Sequence, residues 1–258
     1  MLDGMNNVAT TMPHSKKRLK DNAMKITQPL QKGTLIKRYK RFLADIQTED
    51  QILTVHCPNS GSMKGLADPG NPVWISLAEN SDRKLSHTLE FIEVKDSLVG
   101  INTHRPNKIV HEGLIQKKIP SLSAYTKIQQ EVRYGKNSRI DLFLTETGLP
   151  NAYVEIKNVT LKEKNTALFP DAVTARGTKH LKELMEMKAQ GHRAIMLYLI
   201  QREDCQIFSI AKDIDPLYAT TLKQAIEAGV EILAYQCNLT PKEILLDKEI
   251  EIELGSEE

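Results

Sequence analysis

The sequence predicts a two-domain α/β protein, a small β-barrel leading into a mixed sheet with helices. Three observations predict it. Residues 34–103 hold five short β-type runs separated by turn residues, the pattern of a barrel. After residue 103 apolar positions alternate between helical and strand spacing, the pattern of an α/β layer. With 258 residues, 40% of them hydrophobic, the chain can bury a large core.

Residues 1–23 are polar and aperiodic, and read as a disordered extension ahead of Met24. The barrel is assigned to 24–103. Its strands are TLIKRYKRFLADI, QILTVHC, PVWISLA, KLSHTLEFIEV and SLVGINT. PNSGSMKGLADPGNP, rich in Gly, Pro, Asn and Ser, reads as a long shaped loop between the second and third. The second domain is assigned to 104–258. PNKIVHEGLIQKK spaces Ile109, Val110 and Leu114 as a helix does. KNSRIDLFLT and AYVEIKNV are strands joined by a turn at TGLPN. GTKHLKELMEMKAQG is a helix with Leu181, Leu184 and Met185 on its apolar face and the pairs Lys179/Glu183 and Lys182/Glu186 outside it. RAIMLYLI, almost wholly apolar, is a strand covered on both faces. A strand in CQIFSI, a helix capped by Asp215 with Pro216 at its first position, a strand in VEILAYQC and an acidic tail complete the chain.

Three scattered cysteines, Cys57, Cys205 and Cys237, form neither a disulfide framework nor a C-x2-C zinc site, which fits a reducing cytoplasm. No apolar run of about 18 residues is present to span a membrane. The net charge of +2 makes no global case for nucleic acid. Its distribution says more: residues 1–50 carry ten Lys and Arg against five Asp and Glu, and 242–258 carry two against seven.

The charged positions of the hairpin carry the chemistry. Alternation puts Ile140, Leu142 and Leu144 on one face of RIDLFLT and Asp141 on the other with Phe143. In AYVEIKNV, Val154 and Ile156 share one face and Glu155 and Lys157 the other. Neighbouring strands lie about 4.8 Å apart, so a suitable register brings Asp141 to Glu155. On an open sheet this face would be merely wet, and the Glu155–Lys157 pair worth under about 1 kcal/mol. Here a helix and an apolar strand must pack on the same sheet, so the charges fall in a cleft. Two carboxylates there repel unless a cation compensates. Converging oxygens that retain some water suit Mg²⁺, or Mn²⁺ in its place. Metal on Asp141 and Glu155, with Lys157 assisting the nucleophile, is the chemistry of phosphodiester hydrolysis.

Asp141 followed by Glu155-x-Lys157 resembles the PD-(D/E)xK nuclease motif, whose core is a restriction-endonuclease-like fold. In such nucleases the preceding helix commonly adds an acid; Glu112 occupies that place, with a plain exposed glutamate as the alternative. Ile140 stands where the motif's namesake has proline. RYKRFLADI, CPNSGSMKGL, VGINTHRPNKIVHEG, YGKNSRIDLFL, VEIKNVTL, FPDAVTARGTKHLKEL and IDPLYATTLKQAIEAGVE, in order, extend the likeness from about residue 30 to 235, and together resemble the sugar fermentation stimulation protein A family. That resemblance implies an N-terminal OB-like barrel, a C-terminal PD-(D/E)xK domain, DNA binding, and a part in regulating sugar utilisation, maltose in particular.

Further contacts are expected around this site. KRYKRF interleaves cations and aromatics, so Arg38, Lys40 and Arg41 are candidate DNA contacts. Ser60, Gly61, Ser62 and Lys64, in NSGSMKG, could present amides and an ammonium to a phosphate; the absence of a G-K-[ST] ending excludes a nucleotide P-loop. Arg176, Lys179 and His180 open the helix after the hairpin, where its dipole favours an anion. Asn137 and Arg139 flank Asp141. The expected partner is DNA without strong sequence specificity, and the sequence is compatible with a homo-oligomer. The rival reading is a non-catalytic DNA-binding regulator that keeps the nuclease fold as scaffold. A carbohydrate enzyme fits poorly, because a glycosidase pair at Asp141 and Glu155 leaves Lys157 unexplained.

Overall fold

The computed structural model describes residues 24–254 except Glu79, Ser81, Lys136 and Asn137, so the readings of 1–23 and of Asn137 lie outside the described residues. In chain order the elements are β1 (Met24–Lys25), β2 (Leu30–Tyr39), β3 (Leu43–Gln47), β4 (Ile52–His56), β5 (Pro72–Leu77), β6 (His87–Val94), β7 (Ser97–Gly100), α1 (Pro106–Ile115), β8 (Lys127–Tyr134), β9 (Ser138–Thr145), β10 (Ala152–Val159), β11 (Leu161–Glu163), β12 (Thr166–Phe169), α2 (Ala175–Ala189), β13 (Arg193–Ile200), β14 (Ile207–Ile210), α3 (Pro216–Glu227), β15 (Glu231–Leu239), β16 (Glu243–Glu249) and β17 (Glu251–Ile252).

The barrel runs β4-β3-β2-β5-β6-β7 and closes through a β4–β6 contact at His56 and Thr88. Inward positions of alternating strands fill it: Leu35, Ala44, Ile46, Val55, Val73, Ile75, Leu89 and Ile92 are fully buried. Register shifts after Leu35 and after Trp74 mark irregularities of the kind that increase strand twist and help a sheet curl. At Gly33 a side chain would meet Ile46 Cγ2 at 2.5 Å, so glycine permits the crossing. TLIKRYKRFLADI is two strands rather than the expected one. It folds back at Lys40 and Arg41, whose φ angles of 48° and 63° are left-handed, and Phe42 ends the turn.

A seven-stranded sheet in the order β1-β16-β15-β13-β10-β9-β8 forms the second domain. Its centre, β10-β13-β15, is parallel, and its flanks are antiparallel. β13 is buried on both faces, as its apolar run predicts: Ile195 and Leu197 face Ile109 and Val110 of α1, while Met196 and Tyr198 face Leu181 and Leu184 of α2 and Leu222 of α3. A smaller sheet, β11-β12-β14-β17, lies alongside. Three expectations need correction. β1 pairs with β16, so Met24 and Lys25 belong to the large sheet and not to the barrel. The "acidic tail" supplies β16 and β17, because Ile244 and Leu246 turn into the core and leave the acids outside. Glu183 is buried instead of exposed, accepting from Ser138 Oγ at 2.7 Å.

The two domains form a common core, with Phe91 of β6 in the α1-side cluster and Trp74 and Leu98 packed against it. Buried Glu90 of β6 takes a forked ion pair from Arg105, the cap residue of α1, at 2.8 and 3.1 Å.

Candidate functional site

The β9–β10 ladder pairs Ala152, Tyr153 and Val154 with Leu144, Phe143 and Leu142, then stops. Its register would next set Glu155 opposite Asp141, as the alternation allowed. There the strands part, while β10 stays paired with β13 along its length. The backbone N–H of Ile156 donates to Asp141 Oδ2 at 2.7 Å, and Asn107 Nδ2, in the first turn of α1, donates to Oδ1 at 2.9 Å. Parting also separates the apolar positions of β9. Leu142 and Leu144 face α1, whereas Ile140 joins the α2-side core, so the expected single apolar face is broken at Asp141.

Glu155 is buried. Its Oε1 accepts from Lys157 Nζ at 2.6 Å and contacts His180 Nδ1; its Oε2 is buried with no hydrogen-bond partner. His180 Nε2 accepts from Arg176 Nε at 3.3 Å, so an imidazole carrying its proton on Nδ1 satisfies both contacts. These side chains are placed by the start of α2. Thr174 caps the helix by accepting from Gly177 N at 3.0 Å, and Asp215, the cap of α3, accepts from Thr174 N at 2.8 Å. Burial first, and the charge of Glu155 second, push the Asp141 carboxyl up to about 6. Burial would also raise Glu155, but Lys157 and His180 outweigh it and hold this carboxyl below its ordinary value.

Asp141, Glu155, Lys157, Arg176 and His180 share a cleft of about 500 Å³ with Asn107, residues 168–174, and Arg41, Asn59 and Gly61 of the barrel. Other predicted positions fall elsewhere. The Arg38 guanidinium donates to the carbonyls of Arg41, Asn59, Gly61 and Ser62, which makes it the brace of the barrel loop rather than a free phosphate contact. Several amides of the loop proposed for phosphate are engaged within the protein, that of Gly61 by Asn59 Oδ1 at 2.8 Å. Asp171 Oδ2 accepts from Met63 N at 3.1 Å and from Ser62 Oγ at 3.5 Å, and Ser62 Oγ accepts from Lys64 N at 3.3 Å. A side chain at Gly61 would strike Asp171, so glycine permits that approach. The Lys64 side chain and Lys40 are exposed outside the cleft. Arg139 pairs with Arg133 across β8–β9 and lines a separate cavity, and Lys179 donates to Ser138 Oγ beside it at 3.0 Å. Glu112 is not among the cleft residues; its Oε2 is buried without a partner, and burial raises its carboxyl. Asn107, which sequence reading missed, reaches Asp141 from α1 instead. An Asn after a helix-opening Pro gives only a start signal.

Fold and cleft define a two-domain α/β protein in which a barrel loop closes one side of a two-carboxylate site on a mixed sheet. Two family models match the chain: the SfsA N-terminal OB domain over residues 36–101, and the sugar fermentation stimulation protein RE domain over 104–243. The chain belongs to the sugar fermentation stimulation protein family. It is 50% identical over 231 residues to the homolog from Rhodospirillum centenum, covering 89% of this chain and 99% of that one. It is 48% identical over 233 residues to the homolog from Geobacter sulfurreducens, covering 90% and 100%. The solved structure of Pyrococcus furiosus SfsA in complex with Ca²⁺ superposes with a TM-score of 0.82 at 27% identity, over 90% of this chain and 100% of that chain.

Proposed function

We propose that the protein is a cytoplasmic DNA-binding phosphodiesterase whose cleft works with Mg²⁺ or Mn²⁺, and that it serves the sugar utilisation for which its relatives are named. The observation that carries this reading is the buried, partnerless Oε2 of Glu155 beside a second carboxylate whose pKa is driven up to about 6. An orphaned buried oxygen is costly, and a divalent cation would relieve both the orphan and the repulsion. Among the described residues no three His, Cys, Asp or Glu groups converge as a metal-ligand set, so Asp141 and Glu155 would hold the ion with water completing its shell, as Mg²⁺ prefers. The Ca²⁺ in the Pyrococcus relative supports a divalent ion.

Bound metal would supply Lewis acidity and lower the pKa of a coordinated water. The chain supplies the rest. Lys157 holds Glu155 Oε1 and places a cation where charge develops on a phosphoryl group. Asn107 and the Ile156 amide orient Asp141, His180 orients Glu155, and Arg41 and Arg176 offer positive charge from opposite walls to the phosphate backbone, contacts that carry little sequence information. Asp141→Asn and Glu155→Gln should each abolish metal-dependent cleavage while DNA binding and folding persist. Absence of cleavage by the wild type with Mg²⁺ and Mn²⁺ on single-stranded, duplex and nicked DNA would overturn the enzymatic half.

A further inference from the structure

A further cavity of about 340 Å³ opens on the barrel, lined in part by His56, Arg83, Thr88, Asn102 and His104. Two of these residues, His56 and His104, belong to a row of three rings that contact one another in sequence. Phe42 and His56 are stacked with centroids 6.4 Å apart and planes 24° from parallel, and His56 and His104 follow at 6.5 Å. Phe42 is 45% exposed, a large ring left open to solvent. Arg83 donates to His56 Nδ1 at 3.2 Å. Burial first, then Arg83 and His104, disfavour the charged form of the His56 imidazole. Among the described residues the one carboxylate lining this cavity is Glu90, which pairs with Arg105 while Ser76 and Asn102 also donate to it. The His56 and His104 rings and the Arg83 guanidinium share the rest of this wall.

The row joins the catalytic cleft through two pairs of consecutive residues. Arg41 and Thr103 line the cleft, and their neighbours Phe42 and His104 belong to the row. A strand leaving Asp141 and Glu155 past Arg41 would have Phe42, the chain neighbour of Arg41, within reach. Lys40 and Arg41, both at left-handed φ, make the turn that ends at Phe42. Duplex DNA presents phosphates and base edges to a protein, whereas only an unpaired base presents its flat face.

We infer that the row Phe42–His56–His104, with Arg83, is a stacking platform for unpaired bases, and that the DNA handled in the cleft has a single-stranded segment lying across the barrel. This inference rests on the proposed DNA partner and extends it to strandedness. It is tested by fluorescence anisotropy with labelled oligo-dT and with a duplex of equal length, both in chelator so that cleavage plays no part. The wild type should bind the single strand more tightly. Phe42→Ala and His56→Ala should each weaken single-strand binding about tenfold while moving duplex affinity less than about twofold, and Phe42→Trp, which keeps a stacking face, should retain it. Single-strand affinity unchanged in both alanine variants, or a loss equal for the two DNA forms, would overturn the inference. Binding with this selectivity in a protein that never cleaves would leave the platform standing and defeat only the hydrolytic reading.

Discussion

Glu90 and Glu155 are both almost fully buried, 3% and 2% exposed, and the fold treats them in opposite ways. Glu90 has every oxygen occupied: Ser76 and Arg105 donate to Oε1, Asn102 and Arg105 to Oε2. Glu155 crowds Lys157 and His180 onto Oε1, leaves Oε2 with nothing, and stands beside Asp141. The first ties the barrel to α1. The second keeps an unpaired oxygen and a repelling neighbour, the combination that the proposed metal would relieve.

The comparison breaks most sharply under paired substitution. Glu155→Gln should lower metal-dependent cleavage by about a thousandfold or more, matching the several kcal/mol a positioned metal supplies; a variant cutting at a tenth of the wild-type rate would place the metal elsewhere. Glu90→Ala should destabilise the protein by about 3 kcal/mol in urea unfolding, because Arg105 and Asn102 lose their acceptor. In metal-free protein Glu155→Gln should cost far less, and equal losses would erase the distinction.

Acid titration sharpens the same contrast. Asp141 is pushed up to about 6 from the ordinary aspartate value of 3.8. Its contribution to stability is therefore fully present below about pH 4 and disappears as pH rises through about 6. Between those limits metal-free wild type should lose roughly 2 kcal/mol relative to Asp141→Asn, measured by denaturation in chelator; a gap constant with pH would contradict the raised pKa. The smallest effect concerns the arginines. Arg41→Gln should reduce the salt slope of DNA binding by about one unit, whereas Arg38→Gln, lacking a free phosphate contact, should leave the slope near its wild-type value.

Part of this was legible in the chain. Alternation in RIDLFLT and AYVEIKNV located the paired strands and put Asp141 and Glu155 each on the face opposite its apolar neighbours, but left open the register that brings them together. Asp215 and Pro216 announced α3, and the Gly, Pro and Asn of residues 57–71 announced the loop. β8 was not legible, since KIQQEVRY forms an exposed edge strand with little apolar alternation. β16 looked like a tail because acids dominate EILLDKE, and only its pairing with β15 reveals the strand.

By itself the sequence determined the α/β class, the barrel followed by a mixed sheet, and the three charged residues at the centre, all of which depend on local periodicity and turn chemistry. Tertiary structure alone decided which charges are available. Whether Arg38 meets a phosphate or its own loop carbonyls, whether Asn107 or Glu112 reaches Asp141, and which oxygen of Glu155 goes unpaired depend on hydrogen bonds between residues far apart in the chain. Such bonds leave no periodic trace, because a donor's partner is chosen by the packing of whole elements.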